Sequence, residues 1–162
     1  MLKRFVLMVV GVIVVVGCLP VASEAADLFG PLRKKFYLTP EVVTGAGALT
    51  ACQPGYHMAS LWEIFNPSVL VYDNRFGFMS DDSGAGPPTT ADGWVRTGYD
   101  ASVLSSPGIG NCNLWTASDG VAFGSSASLS QAWATDPPNA THPWKAGANP
   151  CNSPRRVWCI SD

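Results

Sequence analysis

Charge is scarce in this chain: Asp, Glu, Lys and Arg together supply 14% of its 162 residues. The longest basic run, Arg33-Lys34-Lys35, is too short for the phosphate neutralisation that nucleic-acid binding requires, and reads as a solvated stem. Histidine is rarer still. His57 and His142 have no partner at metal-ligand spacing and stand in no G-x-S-x-G frame. No C-x-x-C pair occurs, which removes the usual cysteine arrangement for zinc. Heptads and internal repeats are missing too. Beyond the leader the glutamates are Glu41 and Glu63, so a two-carboxylate glycosidase would have to be assembled from aspartates. No catalytic constellation emerges, and the expectation is a protein that is not an enzyme and has no cofactor.

What the chain does have is bulk and an export signal. Hydrophobic residues make up 47%, with six Trp, seven Phe and four Tyr, enough apolar surface for one globular domain. Met1-Leu2-Lys3-Arg4 is a basic start, Phe5 to Val16 an apolar core, and Ser23-Glu24-Ala25 offers small residues for cleavage after Ala25. Residues 1–25 are therefore read as a signal peptide. A second reading is a lipoprotein signal over 1–17, since Val15-Val16-Gly17-Cys18 resembles a lipobox with Cys18 acylated. Residues 26–35 form a tether and 36–162 the domain. Cleavage after Ala25 removes Lys3, Arg4 and Glu24, leaving eight basic and eleven acidic side chains.

Either leader sends the domain to an oxidising compartment, secreted or at the outer cell surface. Cys52, Cys112, Cys151 and Cys159 remain, an even set that three pairings would satisfy. If all four pair, no thiol nucleophile is left.

Along the chain, Phe36-Tyr37-Leu38 reads as a strand. A short helix over Gly45 to Cys52 comes next, capped by Thr44, with Gly45, Ala48, Leu49 and Cys52 on one face. Pro54-Gly55 ends it. Ser60-Leu61-Trp62-Glu63 has the capping-box pattern for a second helix, which Asn66-Pro67 closes. Ser68 to Tyr72 and Arg156 to Ile160 are strand-like, and Gly93 to Tyr99 reads as a central strand. Asn113 to Ser118 is a further candidate strand with Trp115 inward, and Gly120 to Gly124 another. Met79 to Asp92 reads as a long loop, Ser125 to Trp133 as irregular or a helical turn, and Asp136 to Trp144 as a proline-rich loop leading to Cys151.

The helix with Cys52, the segment Gly55 to Ile64 (GYHMASLWEI), Asn111-Cys112, and the late Cys151 and Cys159 with a closing Val157-Trp158-Cys159-Ile160 together resemble the C-type-lectin-like domain superfamily. The resemblance covers Phe36 to Asp162. It implies an α+β fold with two short helices, a small antiparallel sheet, long irregular loops used for binding, and nested disulfides, Cys52 with Cys159 and Cys112 with Cys151. Sugar-binding members of that family hold calcium with Glu-Pro-Asn or Gln-Pro-Asp in the long loop and Trp-Asn-Asp before the third cysteine. Here Pro143-Trp144-Lys145 has no carboxylate beside the Trp, and Asp136-Pro137-Pro138-Asn139 lies after Cys112. Recognition without that calcium site is expected.

Candidate sites are set by side-chain chemistry. Asp81 and Asp82, with Asp73, offer hard oxygens to a calcium ion, although adjacent aspartates in a Gly-Pro loop also form turns through their own backbone. Trp133 and Trp144, with Asn139, are the candidate ligand-binding residues; an indole face suits the apolar patches of a sugar ring. Trp115 and Trp158, beside cysteines, are expected in the core, and His57 is expected to serve as a structural hydrogen-bonder. The expected partner is a surface glycan or protein, with membrane contact only through an acylated Cys18. A structural or adhesive envelope component without a small ligand is the alternative. A secreted hydrolase using loop aspartates is a third reading.

Overall fold

The computed structural model describes residues 33–97, 110–131 and 144–162. Within it, Pro31–Asp162 is one compact unit. The leader, Cys18 and most of the tether lie outside the described residues.

The fold is α+β: one seven-stranded sheet, few short helices and two disulfides. The strands are β1 (Lys34–Leu38), β2 (Tyr56–Met58), β3 (Leu70–Tyr72), β4 (Gly93–Trp94), β5 (Phe123–Leu129), β6 (Trp144–Pro150) and β7 (Arg156–Ser161). Their order is β3-β1-β7-β4-β5-β6, with β2 also pairing to β7. The sheet is mixed rather than antiparallel as expected. β1 pairs with β3 in parallel, and so does β4 with β7. For β1 and β3 the physical reason is connection length: the chain between them carries β2 and three short helical segments, enough to return it to the same end of the sheet.

Side chains alternate across this sheet and build a core on each face. Phe36, Leu38, Val95, Ala127, Leu129, Trp158 and Ile160 occupy one side, under Ile64 and Leu70. Tyr37, Met58, Trp94, Val157 and Cys159 occupy the other, under Ala48, Cys112, Trp115 and Cys151. Each central indole finds a backbone acceptor: Trp158 Nε1 donates to the Ala127 carbonyl at 2.7 Å, and Trp94 Nε1 to the Val43 carbonyl at 3.0 Å. Gly93 makes this packing feasible. A Cβ there would overlap Leu38 Cδ1 and come within 3.0 Å of Trp158 Cδ1.

The disulfides are nested: Cys52–Cys159 spans 107 positions and Cys112–Cys151 spans 39 inside it. In the chain-entropy description, closing so long an outer loop stabilises the fold by about 4–5 kcal/mol. Cys159 has strand partners on both sides, Tyr37 of β1 and Met58 of β2.

The helices are shorter than the sequence suggested. Gly45–Thr50 is a 3₁₀ turn, and Thr44 makes no side-chain cap bond. The tighter winding keeps Gly45 and Ala48 buried and leaves Leu49 exposed. At Gly55, φ is +81°, the left-handed value that glycine tolerates after Pro54. The second helix, α1 (Leu61–Ile64), has its capping box complete: the Ser60 side chain accepts from Glu63 N, and the Glu63 carboxylate accepts from Ser60 N.

Three segments depart further. Ser125 to Leu129 belongs to β5, where ladders to β4 and β6 override the weak strand preference of Ser and Ala. Only Phe123 and Gly124 of the expected 120–124 strand are in it. Trp144–Pro150 is strand β6 rather than loop, paired along its whole length with β5. In place of a strand over 113–118, Cys112–Trp115 makes a left-handed turn, with φ of 45°, 51°, 58° and 62°. Trp115 still points inward. Of the expected Gly93 to Tyr99 strand, Gly93–Trp94 is ladder-paired and central, and residues 98 and 99 lie outside the described residues.

Left-handed backbone costs an L-residue with a Cβ on the order of 1–2 kcal/mol. Leu114 bears that cost at φ 58° while its side chain is exposed, so no packing is lost on removing it. Leu114→Gly is expected to raise stability by about 0.5–1 kcal/mol, read as a higher urea midpoint with unchanged slope. A lower midpoint would show that the left-handed turn is not the solution conformation.

Candidate binding face

The β5–β6 hairpin and the loop before β4 carry Trp144, Asp81 and Asp82 among the candidate residues. Loop 79–92 docks by its second half: Pro87, Pro88 and Thr89 are buried, while 81–85 stay exposed. Ser80 N and Asp81 N both donate to the Pro88 carbonyl, at 2.9 and 3.1 Å. Gly86 N donates to the Gln131 carbonyl, and Gln131 Nε2 returns a bond to the Asp81 carbonyl at 3.0 Å. The loop therefore grips the residues just beyond β5. Leu129 and Trp144 are register partners, so Trp144 begins β6 at that same end of the hairpin. Trp133 and Asn139 belong to the connection between them and lie outside the described residues, as does His142.

The three metal candidates are not brought together. Asp73 is buried and its carboxylate is filled, taking Arg75 Nε at 2.8 Å, Arg75 Nη2 at 2.6 Å and the Tyr56 hydroxyl at 2.7 Å. The Arg75 hydrogen bonds, against the cost of burial, hold its pKa well below the ordinary carboxylate range. Asp81 and Asp82 are exposed, and Asp81 accepts the Ser83 hydroxyl at 2.9 Å within its own turn. Among the described residues no group of three His, Cys, Asp or Glu is arranged to hold a metal ion.

Beside this loop end lies a cluster that the sequence did not flag. Asp92 Oδ2 accepts from Arg155 Nη1 and, at 3.0 Å, from Ser126 Oγ. Asn149 Nδ2 donates to Ser126 Oγ at 2.6 Å, and Asn149 Oδ1 accepts from Arg155 Nη2. The four side chains form a closed ring of hydrogen bonds, laid over β4, β5, β6 and the start of β7. Arg155 also rests on the Trp94 ring, 5.7 Å from its centroid.

The pleat explains why these residues meet. Trp94 and Gly147 are both register partners of Ser126, and Asn149 is the partner of Gly124, so all point to one face. Lys145, partner of Ser128, extends that face outward and is exposed. A Cβ built on Gly147 meets nothing within 4 Å, so the sheet is open there. The result is a partly exposed patch in which an amide, a carboxylate and a guanidinium are held in fixed orientation over the buried Ser126 hydroxyl. Such a surface presents both donors and acceptors to a polar, hydroxyl-bearing ligand. The one signal for it was the period-two pattern Gly124, Ser126, Ser128 against Ser125, Ala127, Leu129, which polar composition disguised.

Trp115 and Trp158, expected in the core, are buried there, and so is Trp94. No protein-family model, curated protein or solved structure matches the chain.

Arg155→Ala removes two arms of the ring and leaves Asp92 and Asn149 facing each other without their shared donor. The expected loss is about 1–2 kcal/mol in chemical denaturation. Asn149→Ala should cost less than Arg155→Ala, because the Asp92–Arg155 pair survives. Equal and negligible losses would show that the ring does not persist in solution.

Proposed function

We propose that the chain is an exported binding module of C-type-lectin-like architecture that recognises a surface glycan or a protein through the β5–β6 face and the loops at its end. The observation that carries this reading is the closed Asp92–Ser126–Asn149–Arg155 ring beside the open sheet at Gly147. It orients polar groups at a partly exposed surface, where hydroxyl-bearing ligands are held by donors and acceptors of fixed direction. Trp133 and Asn139, from the connection after β5, and Trp144, at the start of β6, are proposed to add stacking and amide contacts at the end of the hairpin rather than on the ring itself, since Trp144 is the register partner of Leu129 and Asn149 that of Gly124.

Further support comes from the order of the cysteines, the first just after a short helical turn and the last on the closing strand, with the inner pair nested. Two disulfides fit an extracellular or otherwise oxidising compartment, in keeping with the basic-then-apolar leader. Among the described residues no helix is long and apolar enough to cross a membrane. Binding is proposed to be independent of calcium, because Asp73 is engaged by Arg75 and Tyr56 and is not free to complete a site with Asp81 and Asp82.

An envelope component with no small ligand is favoured by one observation: among the described residues β6 ends the sheet, and its residues 145–148 are exposed to a neighbouring subunit. A glycan array run with and without chelator separates the two. The module reading expects binding that survives chelation and falls about tenfold or more in Trp144→Ala and in Asn149→Ala. Absence of binding on the array and in a surface-protein pull-down would favour the envelope component.

A further inference from the structure

β2 is short, and a single imidazole on it reaches both α1 and the end of the chain. His57 pairs with Ile160 in the ladder to β7 and exposes about a third of its side chain, 36%. Its Nδ1 lies 2.7 Å from Asp162 Oδ1 and its Nε2 lies 2.9 Å from Glu63 Oε1. A neutral imidazole has a single N–H and can donate to one of these carboxylates only. The other nitrogen would then turn a lone pair on a carboxylate oxygen at hydrogen-bond distance. Only the imidazolium donates to both.

The two arms are unequal. Glu63 is fixed independently of His57, because its Oε2 accepts Ser60 N at 2.8 Å and Ser60 Oγ at 2.7 Å. The Asp162 side chain is 65% exposed, and His57 is its one side-chain partner among the described residues. The Asp162 backbone N–H is tied to the Gly55 carbonyl at 3.1 Å, at the turn where β2 begins. Loss of the ring's proton therefore keeps Nε2–H on Glu63 and leaves Nδ1 opposed to Asp162.

The geometry points to a pH-operated latch: protonated His57 joins α1 to the end of β7 across β2, and neutral His57 keeps Glu63 and releases Asp162 from the Gly55 turn. The charged neighbours of the ring are few. Glu63 faces it from α1 and Asp162 from beyond β7. Lys34 of β1 lies on the far side of β7 with its Nζ on the Ser161 carbonyl at 2.9 Å. The 3₁₀ turn Gly45–Thr50, which packs against β2, carries no charge. Partial burial works against the charged ring, but the bonds to Asp162 and Glu63 outweigh it and raise its pKa above the ordinary histidine value. A folded-state value above the unfolded one means that the latch is complete below the ordinary histidine range, near pH 6.5. It is lost as pH rises through the folded-state value.

The test is an NMR titration of the disulfide-intact chain from pH 5 to 9, following the His57 ring and the hydrogen exchange of the Asp162 amide, corrected for intrinsic rate. Protection of that amide should fall about tenfold across the His57 midpoint. In Asp162→Asn the His57 midpoint should move down and the pH step in protection disappear, while Glu63→Gln should lower the midpoint and keep the step. Because Glu63 also caps α1, Asp162→Asn, at an exposed position, decides the matter if Glu63→Gln does not fold. Amide protection that stays flat through the His57 titration, or a midpoint that Asp162→Asn leaves in place, would overturn the latch.

Discussion

The rest of the structure depends on the place of Cys159. β7 is the strand about which the sheet is arranged, and its Cys159 is flanked by β1 and β2 and bonded to Cys52 beneath. One residue thus joins β1, β2 and the segment that follows the first helical turn to β7. Those contacts are separated by about a hundred positions in sequence, so without the bridge their closure entropy would fall entirely on packing. The two apolar cores, one on each face of β7, arise from the same alternation. Trp158 and Ile160 enter one face, Val157 and Cys159 the other.

From that anchored half the sheet grows outward through β4 into β5 and β6, and its chemistry changes. Trp94 is the last large apolar side chain on its face. Beyond it the same face carries Gly124 and Ser126, still buried under Cys112 and the ring around Asp92, and then Lys145 and Gly147, which are exposed. Arg155 sits at the boundary, its guanidinium over the indole and its donors on Asp92 and Asn149. A stapled apolar half thereby supports an outer half whose polar groups are oriented and partly exposed, and the proposed recognition surface occupies that outer half.

How much of this was legible in the sequence depends on whether local chemistry or long-range pairing decides each element. Ser60 and Glu63 announce their helix start because the capping bonds are local, three residues apart. Phe36-Tyr37-Leu38 and Val157-Trp158-Cys159-Ile160 read as strands because apolar and β-branched residues fill both faces of a buried strand. β5 and β6 did not read as strands, since Ser, Gly and Ala carry little strand preference and the ladder that holds them is made by each other. The left-handed turn at Cys112–Trp115 had no local signal either, as Asn113 is the one residue of the four with any tendency toward that conformation. The Asp92 ring was hidden for a related cause: its members come from four segments that only the sheet register unites. The pairing of Asp73 with Arg75 was not legible either, because the sequence does not show that Arg75 folds back on it.

The most direct measurement on the central claim is a non-reducing peptide map of the protein by mass spectrometry. The structure requires one linked peptide pair containing Cys52 and Cys159 and a second containing Cys112 and Cys151. Cys52 joined to Cys112 or to Cys151 would contradict it, for then β7 could not stand at the centre of the sheet.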